Sequence, residues 1–334
     1  MAVTIKDVAR LAEVSISTVS RVINDSKPVS PEVRKKVLKI IDEIGYKPNE
    51  IARSLVTKKS FLIGVIVSDI GHSYVAEMVR GIEEIGKMYH YDILLCSSYG
   101  DISAQKKYVQ LLNSKQVAGI IMIGEKLNIE IKENIKALKI PFVYLSRDSI
   151  PEDVSSVHVE NYSAAYEMTS YLMNLGHKNI AFLGDIDESN TMEIQKLNGY
   201  KDALLEEDDM KENVIVVNGS SLEKGYNVGS SLINKIGEIT AVFCSKDEIA
   251  VGLINYFHDN NIKVPESISV TGFGDGKIAS LIRPKLTTIK EPFYDIGAVA
   301  IRKMIKEIKG ENIKEDIITL PFQIEKRDSC KSLK

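Results

Sequence analysis

A chain of 334 residues is longer than one hydrophobic core usually serves, so two or more domains are expected. Hydrophobic content of 44% and charged content of 27% describe an ordinary soluble globular protein and exclude a disordered or fibrous one. The net charge of −3 hides an asymmetry: residues 1–60 hold eight Lys and four Arg against three Asp and four Glu, and the remainder is acidic.

A small basic module on an acidic body points to a polyanionic partner for the first segment, although a basic terminus is also often merely solubilising. Within it, Thr4-Ile5-Lys6-Asp7 reads as a capping box, and Ile5, Val8, Ala9 and Ala12 recur at helical spacing. After a break at Glu13-Val14, Ser15 caps a second helix to about Asn24. Ser30-Pro31-Glu32 announces a third, with Val33, Val37, Ile40, Ile41 and Ile44 as its core stripe and Gly45 as its stop. Three short helices with a tight joint between the first two make a helix-turn-helix. On the second helix Val19 and Val22 share the inner face, while Ile16, Ser17, Ser20, Arg21 and Asn24 fall on the other side. That short polar face suits a major groove, where Ile16 and Ser17 would approach base edges and Arg21 can donate twice to guanine. A solvated helix face with an ordinary arginine fits the same spacing.

The run Thr4–Ala9 followed by Val14-Ser15-Ile16-Ser17-Thr18-Val19-Ser20-Arg21-Val22-Ile23-Asn24 resembles the headpiece of the lactose-repressor (LacI/GalR) family. Gly45-Tyr46-Lys47-Pro48-Asn49 and Ala52-Arg53-Ser54-Leu55 resemble that family's hinge. The resemblance implies phosphate contacts by Thr4, Ser15, Thr18, Asn24 and Tyr46, and base reading by Ile16, Ser17 and Arg21. Glu13 departs from the glycine many members carry at the turn; a left-handed backbone there costs about 1 kcal/mol. Asn49–Leu55 is too short for a stable helix alone. By resemblance it folds on DNA against its mate in a homodimer, bringing Asn49 and Ala52 to the minor groove with Leu55 as an apolar wedge. Packing of Leu55 between domains is the alternative.

From Phe61 the pattern changes to strand, helix, strand, helix. Leu62–Val67 is a continuous apolar run, as suits a buried parallel strand. A helix to about Tyr89 follows, then strands at Ile93–Cys96, Ala118–Ile123 and Phe142–Leu145, with helices near Ser103–Asn113 and Glu130–Leu138 between them. The alternation restarts at Ile180–Leu183, Val214–Val217, Thr240–Cys244 and Ser269–Gly272. Two such series predict an α/β class with two doubly wound lobes and a crevice at the strand C-terminal ends. This resembles the type I periplasmic-binding-protein core of the same family. The expected division is 1–46 for the DNA-binding domain and 47–60 for the hinge. An N-terminal core subdomain takes 61–160 and 291–320; a C-terminal one takes 161–290 and 321–334. Apolar runs such as Phe61–Val67 fall far short of a membrane span, and no cationic-apolar leader opens the chain. Cys96, Cys244 and Cys330 are scattered, with Cys96 and Cys244 placed as buried strand-end thiols. A cytoplasmic location is the expectation.

Asp69, Asp185, Asp247 and Asp275 follow strands, which invites an enzyme reading, but no GxGxxG, GxSxG or HExxH motif is present. No catalytic, cofactor or metal site is expected. Asp69, Asp247 and Asp275 remain candidates for an effector cleft binding a small sugar or phosphosugar. Against a sugar, Gln195-Lys196-Leu197-Asn198 lacks the arginine that sugar-responsive members place before Gly199-Tyr200. The usual Gly-Phe-Asp also reads Gly272-Phe273-Gly274-Asp275.

Tyr294-Asp295-Ile296-Gly297-Ala298-Val299-Ala300-Ile301-Arg302 resembles a stretch typical of the family's carbon-catabolite-control branch. The resemblance implies that serine-phosphorylated HPr, a phosphocarrier protein, docks as corepressor on Tyr294, Asp295, Val299, Arg302, Lys306 and Arg327. Glu77–Tyr91 would form the adjoining half of the platform. Gln323 departs from an arginine of that branch. An amphipathic helix with a solvated edge is the plainer reading of the same stretch. The expectation is a homodimeric regulator binding a pseudopalindromic operator, with sugar control of a repressor as the alternative.

Overall fold

The computed structural model describes residues 3–24, 27–46, 60–124, 127–146, 154–187, 191–219, 221–311 and 316–334. The chain forms two compact units, 1–60 and 61–334.

The first unit holds α1 (Ile5–Ala12), α2 (Ile16–Asn24) and α3 (Pro31–Ile44). Val8, Ala9, Ala12, Val19, Val22 and Val37 are its buried core. The Asp7 carboxylate caps α1 by accepting from the Thr4 backbone N–H at 3.0 Å and its hydroxyl at 2.8 Å. These two bonds, the hydroxyl's first, hold the Asp7 pKa below its usual value. Glu13 ends α1 in the left-handed region, at φ 55° and ψ 40°, and its carboxylate meets Lys36 of α3 at 2.9 Å. That exposed ion pair bridges the turn between the first two helices and the third. Ser15 Oγ accepts from the Thr18 backbone N–H at 3.1 Å at the start of α2. Gly45 closes α3 with φ 64°, a conformation glycine adopts without strain.

The second unit is built on two sheets. The first has the order β11-β5-β4-β3-β1-β2 and the second β12-β10-β9-β8-β6-β7. In the first lobe these are β1 (Leu62–Val67), β2 (Asp92–Ser97), β3 (Gly119–Gly124), β4 (Phe142–Ser146), β5 (Ser155–Val159) and β11 (Ile317–Leu320). The second lobe holds β6 (Ile180–Gly184), β7 (Asn213–Val216), β8 (Ala241–Cys244), β9 (Ser269–Gly274), β10 (Thr287–Lys290) and β12 (Gln323–Glu325). All pairs are parallel except β10 with β12. The core order is the same in both lobes, each turning back on itself beside its first strand, where doubly wound sheets open a crevice. Ile63–Val67 are all buried because apolar layers cover both sheet faces.

Helices α4 (Ser73–Met88), α5 (Ile102–Ser114) and α6 (Ile129–Ala137) belong to the first lobe; α7 (Asn161–Asn174), α8 (Thr191–Leu204), α9 (Leu222–Leu232), α10 (Asp247–Asp259) and α11 (Lys277–Leu281) to the second. Helix α12 (Phe293–Ile308) follows β10 yet returns to the first lobe, where Ile296, Ala300, Ile301 and Met304 join the core of β1, β3, β4 and β5. It crosses α4 at glycines: a Cβ at Gly81 would collide with the Tyr294 carbonyl, and one at Gly297 with that of Met78. The two backbones touch, which fixes the surface the two helices share.

Candidate functional site

On the headpiece, burial of Val19 and Val22 turns the rest of α2 outward. Ile16 is 46% exposed, and Ser17 and Arg21 are exposed beside it. Among the described residues the Arg21 guanidinium has no hydrogen-bond or ion-pair partner. Ser15 Oγ lies 2.7 Å from Ser17 Oγ and 2.8 Å from Thr18 Oγ1, so three hydroxyls cluster at the N-terminus of α2. Such a terminus, rich in N–H and O–H donors, favours an anion. Thr4 is exposed at the start of α1; Tyr46 is half-buried against the headpiece core. Asn24 lies on the last turn of α2, its side chain outside the described residues, as are Asn49, Ala52 and Leu55.

The residues singled out on α12 fall together. Asp295, Arg302 and Lys306 are exposed, Tyr294 and Val299 half-buried. Among the described residues neither Arg302 nor Lys306 has a carboxylate within ion-pair distance, so this edge offers unmatched positive charge. The adjoining face of α4, within the segment Glu77–Tyr91, supplies further residues. Tyr294 donates its hydroxyl to Glu84 at 2.7 Å, and Arg80 stands 5.1 Å from the Tyr294 ring centre. The bond to Glu84 raises the Tyr294 pKa. Lys309 likewise lies 5.3 Å from the Tyr89 ring centre. The spacing of Glu77, Arg80 and Glu84 on one helix face was a signal that could have found them.

Arg327 does not join that edge. It borders the crevice holding Tyr294 and Asp295, but its guanidinium donates to Asp275 at 2.6 Å and to the Leu286 carbonyl at 2.9 Å.

The three cleft carboxylates are not gathered either. Asp69 lines a cavity of about 1010 Å³ at the C-terminal ends of β1 and β3, with Ser68, His72, Gln105 and Asn128. Asp275, at φ 55°, is committed to Arg327. Asp247 is 2% exposed and accepts from Thr288 Oγ1 at 2.6 Å and the Gly276 N–H at 2.8 Å. Burial pushes its pKa up to about 7, against the opposing pull of those two bonds. In the run before Gly199-Tyr200, Lys196 is fully buried, with its ammonium 2.8 Å from the Ser245 carbonyl, 3.5 Å from Glu193 and 3.8 Å from the Phe273 ring centre. Its charge is spent inside the second lobe.

A helix-turn-helix unit with an unmatched arginine on its outer helix, in one chain with a two-lobed α/β body, is the architecture of a DNA-binding transcription regulator. Residues 4–49 match the family described as bacterial regulatory proteins, lacI family, and residues 60–326 match that of periplasmic binding proteins and the sugar-binding domain of the LacI family. Catabolite control protein A of Priestia megaterium is 38% identical, with 99% of this chain and 100% of that protein covered. The HTH-type transcriptional regulator RegA of Clostridium acetobutylicum is 40% identical over the same shares. Among solved structures, the lac repressor dimer bound to operator and the anti-inducer ONPF superposes with a TM-score of 0.85 at 26% identity, covering 99% of this chain and 100% of that one. CcpA of Lactococcus lactis gives 0.74 at 29% identity, covering 82% and 100%. The chain belongs to the LacI family. It is a DNA-binding transcription regulator close to catabolite control protein A and RegA, and not an enzyme.

Proposed function

We propose that the protein binds a pseudopalindromic operator as a homodimer and exerts carbon catabolite repression with serine-phosphorylated HPr as corepressor. The observation that carries this reading is the unmatched positive edge of α12, Arg302 and Lys306, on the helix that also carries Tyr294. A phosphoserine brings about −1.5 to −2 charges and several acceptor oxygens. Arg302 can hold it with two directed bonds, and Lys306, one turn on, adds a less directional charge. Asp295 and Val299 complete the docking face. Arg327 contributes only after exchanging Asp275 for the partner, so it ranks behind the other five. In the headpiece, Ile16, Ser17 and Arg21 read bases, while Thr4, Ser15, Thr18, Asn24 and Tyr46 hold phosphates. Asn49, Ala52 and Leu55 engage the minor groove.

Calorimetric titration of the protein with HPr tests the corepressor. Serine-phosphorylated HPr should bind, unmodified HPr more weakly, and Arg302→Ala should remove the difference. Equal binding of both forms to the unaltered protein rules this reading out. The second reading, control by a sugar or phosphosugar, rests on the cavity beside Asp69. It predicts that Asp69→Ala changes the response of DNA binding to the sugar.

A further inference from the structure

One contact between the lobes is a full charge pair. Lys277, the first residue of α11 in the second lobe, places Nζ 3.7 Å from Oε1 of Glu77 on α4 in the first. The other oxygen of Glu77 pairs with the Arg80 guanidinium at 2.9 Å. The turn carrying Lys277 is anchored from behind: the Gly276 N–H is held by buried Asp247, and Asp275 by Arg327. Gly276 also sits against Ser73 at the head of α4, where an added Cβ would come 3.4 Å from the serine hydroxyl. On the first-lobe side, Arg80 is shared. It meets Glu77, lies 3.9 Å from Glu84, and faces the Tyr294 ring.

We propose that Glu77 and Lys277 form an electrostatic latch between the lobes, and that Arg80 sets its strength by competing for Glu77. The latch itself requires no partner on the α4–α12 surface. An anion that draws Arg80 toward Tyr294 leaves the Glu77 carboxylate less neutralised, so it pulls harder on Lys277. Events on that surface are thereby felt at the lobe seam. Lys277 is 81% exposed and Glu77 27%. An ion pair that open to water shifts an equilibrium about two- to fivefold. The latch therefore biases closure without locking it, and salt at 1 M, with a Debye length of about 3 Å, should erase it.

The test uses the full-length protein with spin labels at two exposed positions, Lys107→Cys on the first lobe and Glu223→Cys on the second, in a Cys330→Ser background. Pulsed dipolar spectroscopy then reads the interlobe distance. At low salt Lys277→Glu should lower the closed-to-open ratio about two- to fivefold, and Lys277→Arg should leave it unchanged. At 1 M salt all three proteins should coincide. Arg80→Ala should raise the closed fraction at low salt. Superimposable low-salt distributions for Lys277→Glu and the unaltered protein overturn the latch, and no shift in Arg80→Ala overturns the competition. Lys277 is solvent-facing, so these variants keep the fold, which the melting temperature checks.

Discussion

Two residues carry separable consequences. Arg21 stands on the outer face of α2 with no partner of its own among the described residues. Arg21→Ala should cost about 1–3 kcal/mol per half-site contact on the specific operator. Random DNA should be affected much less, since phosphate contacts dominate non-specific binding. Equal losses on both in a fluorescence titration would assign Arg21 to phosphate alone. Arg21 and its neighbours were legible because helical periodicity sorts inner from outer face within nine residues. Asp247 was legible only as an acid after a strand. Its hydrogen-bonding partners, Thr288 and Gly276, lie far along the chain, so no local pattern reveals that it is buried. Its folded pKa, up to about 7, exceeds the ordinary 3.8, so the folded chain holds this proton longer than the unfolded one. Its stabilising contribution is therefore complete below about pH 4 and declines as pH rises to about 7, by at most about 1.4 kcal/mol per pH unit. Asp247→Asn should flatten that decline, so relative to the unaltered protein it gains stability between pH 5 and pH 8. Parallel stability curves in urea unfolding would show that Asp247 does not titrate in this window.

At the scale of elements, strong local signals were read closely and weak ones were not. The buried strands β1, β3 and β6 announce themselves as apolar runs, and the capping box of α1 and the proline start of α3 are local chemistry. The left-handed Glu13 was also readable as a departure at a turn. Strands β5, β10 and β11 carry no local signal, because each is short and mixes Ser, Thr, His or Lys with its apolar residues. Their partners are set by chain segments distant in sequence. Helix α12 was recognised by its residues, but not its crossing with α4, since the meeting of Gly81 and Gly297 is a tertiary fact. Gly297→Ala should force the backbones apart and destabilise the body by about 1–3 kcal/mol, because a carbonyl cannot step aside as a flexible side chain can. The same variant should weaken HPr binding more than Val299→Ala does. A Gly297→Ala protein with unchanged thermal unfolding would mean the crossing tolerates a methyl group.

For the whole molecule, the proposed function rests on two surfaces: the outer face of α2 for DNA, and the α4–α12 edge for control. Within the cleft, Asp247 is buried, Asp275 is paired and the charge of Lys196 is satisfied internally. If serine-phosphorylated HPr tightens operator binding by some factor, operator DNA must tighten HPr binding by the same factor. The most direct measurement titrates labelled operator with the full-length protein alone, with unmodified HPr, with serine-phosphorylated HPr, and with small sugars and phosphosugars. Serine-phosphorylated HPr should raise operator affinity, unmodified HPr should do so less, and Arg302→Ala should erase the difference while leaving affinity without HPr near normal. Operator affinity unmoved by either form of HPr but shifted by a sugar would contradict the corepressor reading.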